Sequence, residues 1–275
     1  MAQAPSDSLR STLRKLADSY AKQYELDRFL SKGSGVVVFK PALERDGMSH
    51  GNFIEASYQQ IVRNPDWGGK LKKSYGKGRN WFPPEETDVR ELDSSNSSDA
   101  LLMNIFCHPG MTREVIARLF GLQTAFVPQF AFRIDVHRIP VGRPSEIDMV
   151  LGSEMLVEAK LTEAGFTSVP VEKMKSYSRF AETFDAPLLR KGDSYKHYQL
   201  IRNVLAADQT NRRFTLLHDE RRPDLRAAWE EVCTAIRDPG LKARCHRMTW
   251  QKVAAVCPSD LQRFLDEKYG IIVCP

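Results

Sequence analysis

Three charged residues, Asp148, Glu158 and Lys160, place two carboxylates and one amine within a short apolar stretch of the sequence. A charged group inside a strand of Val, Leu and Met is costly to desolvate unless it is paired or bound to a metal. The three residues therefore either hold a divalent metal ion or form a cross-strand ion-pair cluster at the surface. Both interpretations require that the fold bring the side chains together.

The sequence around these residues predicts a β-hairpin. Two short apolar runs, Ile147–Leu151 and Met155–Leu161, are separated by Gly152-Ser153-Glu154. Three residues that include glycine are a common length for a hairpin loop. Residues 129–139 alternate between apolar and polar side chains, so they predict a third strand that pairs with the hairpin.

The hairpin would gather the charged residues at one end. Side chains two residues apart in a strand share a face, so Glu158 and Lys160 point one way and Ala159 the other. Antiparallel pairing carries Glu146 and Asp148, at the start of the first strand, close to this end of the second. The sequence thus predicts two or three carboxylates beside one ammonium group.

An acid two residues before a lysine occurs twice in the chain, as Glu158-Ala-Lys160 and as Asp266-Glu-Lys268. The second copy lies in LQRFLDEKYG, which has a helical pattern, and residues two apart do not share a face of a helix. Only the first copy follows an apolar strand and has an acid in a preceding strand. We therefore base the site on the first copy.

This arrangement resembles the PD-(D/E)XK nuclease superfamily, which includes type II restriction endonucleases and Holliday junction resolvases. In the superfamily pattern an Asp near the end of one strand precedes Glu-X-Lys on the next. Asp148 matches the Asp, and Glu158 and Lys160 match the Glu and Lys. The Pro-Asp dipeptide is absent, since Ile147 precedes the Asp. The resemblance covers roughly residues 99–217.

The resemblance implies a metal-dependent nuclease. Asp148, Glu158 and the backbone carbonyl of Ala159 would hold Mg²⁺ or Mn²⁺. Lys160 would orient the attacking water or stabilise hydroxide, with its pKa depressed by the metal and by partial burial. The implied substrate is DNA, with RNA left open, and a homodimer would supply the two active sites that a double-strand cut needs.

Two helices are expected to add site residues. Superfamily members often take one more metal-binding acid from a helix before the hairpin, and Glu55 is a candidate, with a solvated surface glutamate as the alternative. Asp99 competes for this role, although an Asp at a helix start is first a cap. After Glu-X-Lys, Gln199 would lie near the metal and Arg202 would hold a phosphate; ordinary helix polarity is the alternative.

Residues 68–81, GGKLKKSYGKGRNW, form a basic segment without an acid. Its glycines predict a loop, and its basic side chains alternate with Tyr75 and Trp81. Such a segment suits a phosphate backbone, so we expect DNA contacts from Lys70, Lys72, Lys73, Lys77 and Arg79. A solvated loop that binds nothing is the alternative.

The expected fold class is α/β (α+β), with a restriction endonuclease-like mixed sheet flanked by helices. Residues 171–184 and 194–207 predict helices and 212–220 a strand, so that a strand meander is followed by a crossover and a further strand. Residues 1–98 would form a helical N-terminal region with the basic loop, packed on the core, and residues 99–275 the catalytic core with C-terminal helices. Residues 85–98 would link the two.

Composition sets the remaining expectations. A net charge of +5 permits a nucleic-acid partner without requiring one. The first thirty residues show no signal-peptide pattern and no run reaches membrane-spanning length, so we expect a cytoplasmic protein without a membrane partner. Five cysteines fit reduced thiols. Cys233, Cys245 and Cys257 lack a C-x-x-C pair, which favours buried thiols over zinc ligands.

The leading hypothesis is a Mg²⁺- or Mn²⁺-dependent endonuclease that hydrolyses DNA phosphodiester bonds, of restriction-like or repair-like type. A module on the same fold that binds nucleic acid or protein without cutting is the second hypothesis. An ordinary α+β protein with a chance motif is the third. Motifs of serine hydrolases, zinc proteases and dinucleotide-binding enzymes are absent from the sequence.

Overall fold

A computed structural model describes residues 4–32, 35–40, 49–73, 89–136, 144–177 and 179–273. By its internal contacts the chain divides into two compact units. The first comprises Met1–Phe126 and Trp250–Pro275, and the second comprises Val127–Thr249. Residues 99–126 thus group with the N-terminal segment rather than with the hairpin. The expected division into residues 1–98 and residues 99–275 stays a prediction.

The described residues form both helices and strands. The helices are α1 (Pro5–Gln23), α2 (Glu55–Arg63), α3 (Pro65–Gly68), α4 (Ser98–Phe106), α5 (Arg113–Phe120), α6 (Val171–Met174), α7 (Phe180–Thr183), α8 (Ala186–Leu189), α9 (Tyr198–Thr210), α10 (Pro223–Ala235), α11 (Pro239–Arg244), α12 (Trp250–Ala254) and α13 (Ser259–Tyr269). The strands are β1 (Arg28–Leu30), β2 (Val37–Phe39), β3 (Pro128–Ile134), β4 (Ser145–Leu151), β5 (Met155–Ala159), β6 (Val169–Pro170), β7 (Arg190–Lys191), β8 (Ser194–Tyr195), β9 (Arg213–His218) and β10 (Cys245–Thr249). None of the described helices is both long and apolar enough to cross a membrane.

The first unit is helical with one small sheet. The strands β1 and β2 pair antiparallel, α1 packs against α13, and α2 packs against α4. The described part of the expected linker, residues 85–98, contributes buried residues to this unit. Ser94 is buried and forms an isolated β-bridge with Val38. A buried backbone segment of this kind needs its hydrogen bonds satisfied, and the amide of Ser95 donates to the carbonyl of Val37.

The helix α13 confirms that the second acid-X-lysine copy is not a strand motif. Asp266 is exposed, whereas Lys268 is buried and its ammonium donates to the backbone and side-chain oxygens of Asn52, each at 2.6 Å. The two charged groups lie on different faces, as the 3.6-residue period of a helix requires.

The second unit is built on a mixed sheet. Among the described residues its strands lie in the order β10-β9-β5-β4-β3, with β10, β9 and β5 parallel and β5, β4 and β3 antiparallel. The helix α9 packs on β4, β5 and β9, where Ile201 and Leu205 join Leu156, Phe214 and Leu216 in one buried cluster. This is the helix-flanked mixed sheet that the sequence predicts.

The predicted long helices on either side of the crossover are interrupted. Residues 171–184 form the two short helices α6 and α7, and residues 194–195 belong to β8 rather than to a helix. Tyr195 pairs with Val169 and with Arg190, so a small sheet replaces the start of the predicted helix. Periodicity alone did not reveal this pairing because each of its strands is two residues long.

The hairpin forms with the predicted loop, and its ladder opens at Asp148. The loop residue Gly152 has a φ of 51°, a conformation that glycine adopts without strain. The β4–β5 ladder ends at the pair Met149–Val157. On the other side, β3 pairs with β4 at Phe130–Met149 and Phe132–Ile147 but not at Asp148. The residue between these pairs on β3 is Ala131, whose φ is 55°.

Ala131 is expected to carry backbone strain that glycine would relieve. An alanine in the left-handed region costs about 1–2 kcal/mol, while glycine loses roughly 0.4–1 kcal/mol more chain entropy on folding. Ala131→Gly should therefore stabilise the protein by about 0.5–1 kcal/mol in urea denaturation followed by circular dichroism. The matched control is Ala227→Gly on the exposed face of α10, which should destabilise by about 1 kcal/mol. Destabilisation by both variants would contradict strain at Ala131.

Candidate functional site

The three charged residues predicted to act together meet at the open end of the hairpin. Glu158 lies near the end of β5, and Lys160 is the next residue on the same face. One carboxylate oxygen of Asp148 accepts a hydrogen bond from the backbone amide of Ala159 at 2.8 Å. The ammonium of Lys160 lies 2.8 Å from a carboxylate oxygen of Glu158. The fold therefore gathers them as the alternation and pairing of the strands predict.

Glu158 is the centre of the cluster. Its side chain is fully buried, and its Oε1 receives Lys160 and the side-chain amide of Gln199. Its Oε2 receives the side-chain amide of Asn203 at 2.7 Å. A buried carboxylate without partners would cost several kcal/mol, on the order of the penalty for an isolated buried charge. Three donors hold this one in a fixed orientation.

Lys160 is 7% exposed and surrounded by carboxylates. Burial alone would lower the pKa of its ammonium, as the sequence suggests. The charges of Glu158, Glu163 and Asp148 act in the opposite direction and outweigh burial, so the pKa of Lys160 is raised above its ordinary value. The expected lowering of this pKa by a bound metal together with burial stays a prediction. The ring of Phe166 lies 5.8 Å from the ammonium as a further partner for the cation.

The chain that follows Lys160 is held by a buried arginine. Arg222 is 0% exposed; its Nη1 donates to the carbonyl of Leu161 at 2.7 Å, and its Nη2 donates to the carbonyl of Glu163 at 2.8 Å. Asp224 accepts from the same guanidinium at 2.9 and 2.8 Å. The carboxylate of Glu163 turns back to accept the amide of Leu161 at 2.6 Å. These bonds fix the backbone on the C-terminal side of the lysine.

Two of the expected helix residues lie at the cluster. Gln199 and Arg202 both lie in the first turns of α9; Gln199 reaches Glu158, while Arg202 donates from Nε to the hydroxyl of Ser145 at 3.0 Å. Their roles in metal and phosphate binding stay predictions. Asn203 was missed from the sequence, although its spacing of four from Gln199 puts both on one helix face.

The acids considered in the first unit have other partners. Glu55 is exposed on α2, where its carboxylate accepts the side-chain amide of Gln59 at 2.9 Å, and its part in metal binding stays a prediction. Asp99 is buried near the start of α4, 2.5 Å from the ammonium of Lys70. The cap of this helix is Ser97, whose hydroxyl accepts the amide of Ala100.

The basic segment is only partly described. Residues 69–72 form a 3-10 turn instead of the predicted loop, and Lys70 is 7% exposed and paired with Asp99. A buried and paired lysine has little to offer a phosphate, so the assignment of Lys70 to DNA binding is corrected. Lys72 is exposed, and Lys73 lies 3.1 Å from Glu91. Lys77 and Arg79, with Tyr75 and Trp81, lie outside the described residues.

The four described cysteines are free thiols. Burial raises the pKa of Cys233 to about 11 and that of Cys245 and Cys257 to about 12. Across the part of the chain that the structure describes, no three or more His, Cys, Asp and Glu side chains are grouped to hold a metal.

A hard cation would nevertheless find suitable donors at the cluster. Asp148 and Glu158 offer carboxylate oxygens and Ala159 a neighbouring backbone carbonyl, which are the donor types that Mg²⁺ and Mn²⁺ prefer. Mg²⁺ commonly takes one or two protein carboxylates and completes its shell with water and substrate oxygens. A site with two carboxylates and one lysine therefore fits such an ion.

Comparison with known proteins gives one match. A family model described as Restriction Endonuclease associating with ARP matches residues 14–270. No curated protein and no solved structure matches the chain. The matched range includes the whole of the hairpin, α9 and Arg222.

Proposed function

The chain belongs to the family of restriction endonucleases associating with ARP, and from this premise we propose that it is a metal-dependent endonuclease that hydrolyses phosphodiester bonds in DNA. A nuclease of the restriction endonuclease-like class with an α+β fold is what the family match supports. The use of Mg²⁺ or Mn²⁺, the DNA substrate and the residue roles are our proposal.

The observation that carries the proposal is the meeting of Asp148, Glu158 and Lys160 at the point where the ladder of β4 is interrupted. Two acids and a lysine that were only a pattern in the sequence become neighbours in space. A surface ion-pair cluster would be solvated, whereas Glu158 is fully buried and Lys160 nearly so. Burying such charges is costly, so a buried cluster of this kind is more typical of a functional site than of an inert surface.

We assign each residue a role that is compatible with its contacts. Asp148 and Glu158, with the carbonyl of Ala159, would hold the ion, which when bound neutralises charge on the scissile phosphate and acidifies a coordinated water. Gln199 and Asn203 hold Glu158 in one orientation through its two oxygens. The ammonium of Lys160 donates hydrogen bonds to the attacking oxygen or to a phosphate oxygen, and thereby favours the anionic form in which that oxygen reacts.

The proposal predicts that supercoiled plasmid is nicked or linearised with Mg²⁺ or Mn²⁺, left intact with EDTA, and cut again when excess metal is restored. The measurement is agarose electrophoresis over a time course, with an RNA substrate in parallel. The matched variant is Asp148→Asn, which keeps an oxygen for the amide of Ala159 but removes a charge, and its cleavage should fall to background. Cutting that persists in EDTA, or no cutting of DNA with either metal, would contradict the proposal.

The name of the family includes an association with ARP, which points to a protein partner for this chain. We propose that the protein partner of this chain is that ARP, in addition to DNA, and that the nuclease acts as a homodimer. We also propose a cytoplasmic location, where free thiols such as those described here stay reduced. Light scattering after size exclusion tests the dimer, and co-purification with ARP tests the partner.

A further inference from the structure

Two cations surround one tyrosine ring beside the acid–lysine site. We use the term Tyr198 cluster for Lys173, Tyr177, Tyr198 and Arg202. The ammonium of Lys173 lies 4.9 Å and the guanidinium carbon of Arg202 5.2 Å from the centroid of the Tyr198 ring. The hydroxyls of Tyr177 and Tyr198 are hydrogen-bonded to each other. The ring thus attracts both cations through its negative faces.

Many basic residues nearby are paired with a carboxylate, and these two cations are not. Among the described residues, neither Lys173 nor Arg202 forms an ion pair. Lys175, on the same short segment, lies 2.7 Å from Glu172, and Arg179 lies 3.1 Å from Asp208. Both charges of the cluster lie beside the same ring, 4.9 and 5.2 Å from its centroid. Like charges at that range repel, so the cluster favours an anion.

The cluster is linked to the acid–lysine site by one adjacent residue in the chain and one hydrogen bond. Tyr198 is adjacent to Gln199, whose amide reaches Glu158. Arg202 donates to Ser145, the first residue of β4, and Asp148 lies three residues further along this strand. Lys173 is exposed, whereas Tyr177 is buried and contacts the Tyr198 ring edge to face at 5.9 Å between centroids. An anion at the cluster would therefore be close to the group that Asp148 and Glu158 act on.

We propose that the Tyr198 cluster is a phosphate-binding subsite that holds the nucleic-acid backbone next to the scissile bond. The inference rests on the proposed nuclease function and names the part of the chain that positions its substrate. Lys173 contacts a phosphodiester as a mobile point charge, and Arg202 presents the N–H groups that Ser145 does not use. Tyr198 keeps both cations in place, and Tyr177 keeps Tyr198 in place.

The test measures binding separately from cleavage. A fluorescently labelled duplex of arbitrary sequence is titrated in EDTA at several KCl concentrations, and anisotropy gives the dissociation constant. In Lys173→Met the slope of log affinity against log salt should decrease by about 0.9, the value for one lost phosphate contact. The affinity at moderate salt should fall roughly 5- to 10-fold, about the 1–1.4 kcal/mol typical of one such contact. The thermal midpoint should not change, because Lys173 is exposed.

The matched control is Lys175→Met, which removes an equal charge two residues away from a lysine already paired with Glu172. Its slope should stay near that of the wild type. Equal slopes for both variants would overturn the subsite, as would an unchanged slope in Lys173→Met. If the wild type binds with this dependence on Lys173 but never cleaves, the subsite stands and the proposed nuclease function fails. If it cleaves and Lys173→Met binds normally, the function stands and the subsite fails.

Discussion

Replacing Lys160 with methionine is expected to slow DNA cleavage by about 10²–10³-fold, the range for loss of one hydrogen-bond donor to a developing anion, while DNA binding changes by no more than a few-fold. Methionine keeps most of the side-chain volume at this buried position but removes the ammonium that lies 2.8 Å from Glu158. Glu158 retains its amide donors from Gln199 and Asn203, so the fold should survive. Single-turnover cleavage with Mn²⁺ measures the rate, and anisotropy in EDTA measures binding.

The control for Lys160 is Lys191→Met, which removes an exposed lysine from β7. This variant should cut at close to the wild-type rate. If Lys160→Met also cut at that rate, the lysine would have no role in the reaction, and Asp148 and Glu158 would have to act without it. Loss of binding together with loss of cleavage would instead indicate that Lys160 holds the substrate.

Removal of the Arg222 side chain should have the largest effect on stability. Arg222→Met leaves the carbonyls of Leu161 and Glu163 without their donors in a buried region, and it also separates Asp224 from its partner. Asp224 is partly exposed and can be rehydrated, so we expect a loss of about 3 kcal/mol, below the upper range for a broken buried pair. Urea denaturation followed by circular dichroism gives the free energy of unfolding.

Arg226→Met, in the first turn of the helix α10 that follows Arg222, is the comparison. Arg226 and Glu230 form an exposed pair at 3.7 Å, whose loss should cost at most about 0.5 kcal/mol. Because Arg222 also fixes the chain beside Lys160, the surviving folded fraction of Arg222→Met should cleave more slowly than that of Arg226→Met. Equal stability of the two variants would contradict the anchoring role of Arg222.

Local sequence patterns were sufficient for the hairpin and its charged end. The two-residue period of strands placed Glu158 and Lys160 on one face, and the glycine-containing loop set the register that brings Asp148 near them. The strand β3 and the helix α9 were also predicted, because each is long enough for its own period to show. The family match bears out the fold class.

Features that depend on distant residues were not predicted. Arg222 reads as one basic residue before a helix, and only the folded chain brings it to Leu161, which is 61 residues earlier in the sequence. The local sequence around Lys70 predicts a basic loop, but Lys70 forms a buried ion pair with Asp99. The short strands of the small sheet carry too few residues for any periodicity. In each case a tertiary partner overrides the local pattern.

The residues that donate hydrogen bonds to Glu158 from α9 are synthesised well after it. Its amide donors lie 41 and 45 residues after it, and Arg222 follows later still. A nascent chain that has emerged only as far as Leu161 carries both acids and the lysine but lacks Gln199, Asn203 and Arg222. Such a nascent chain should lack the fixed orientation of Glu158, which is reached only when the later part of the second unit has folded.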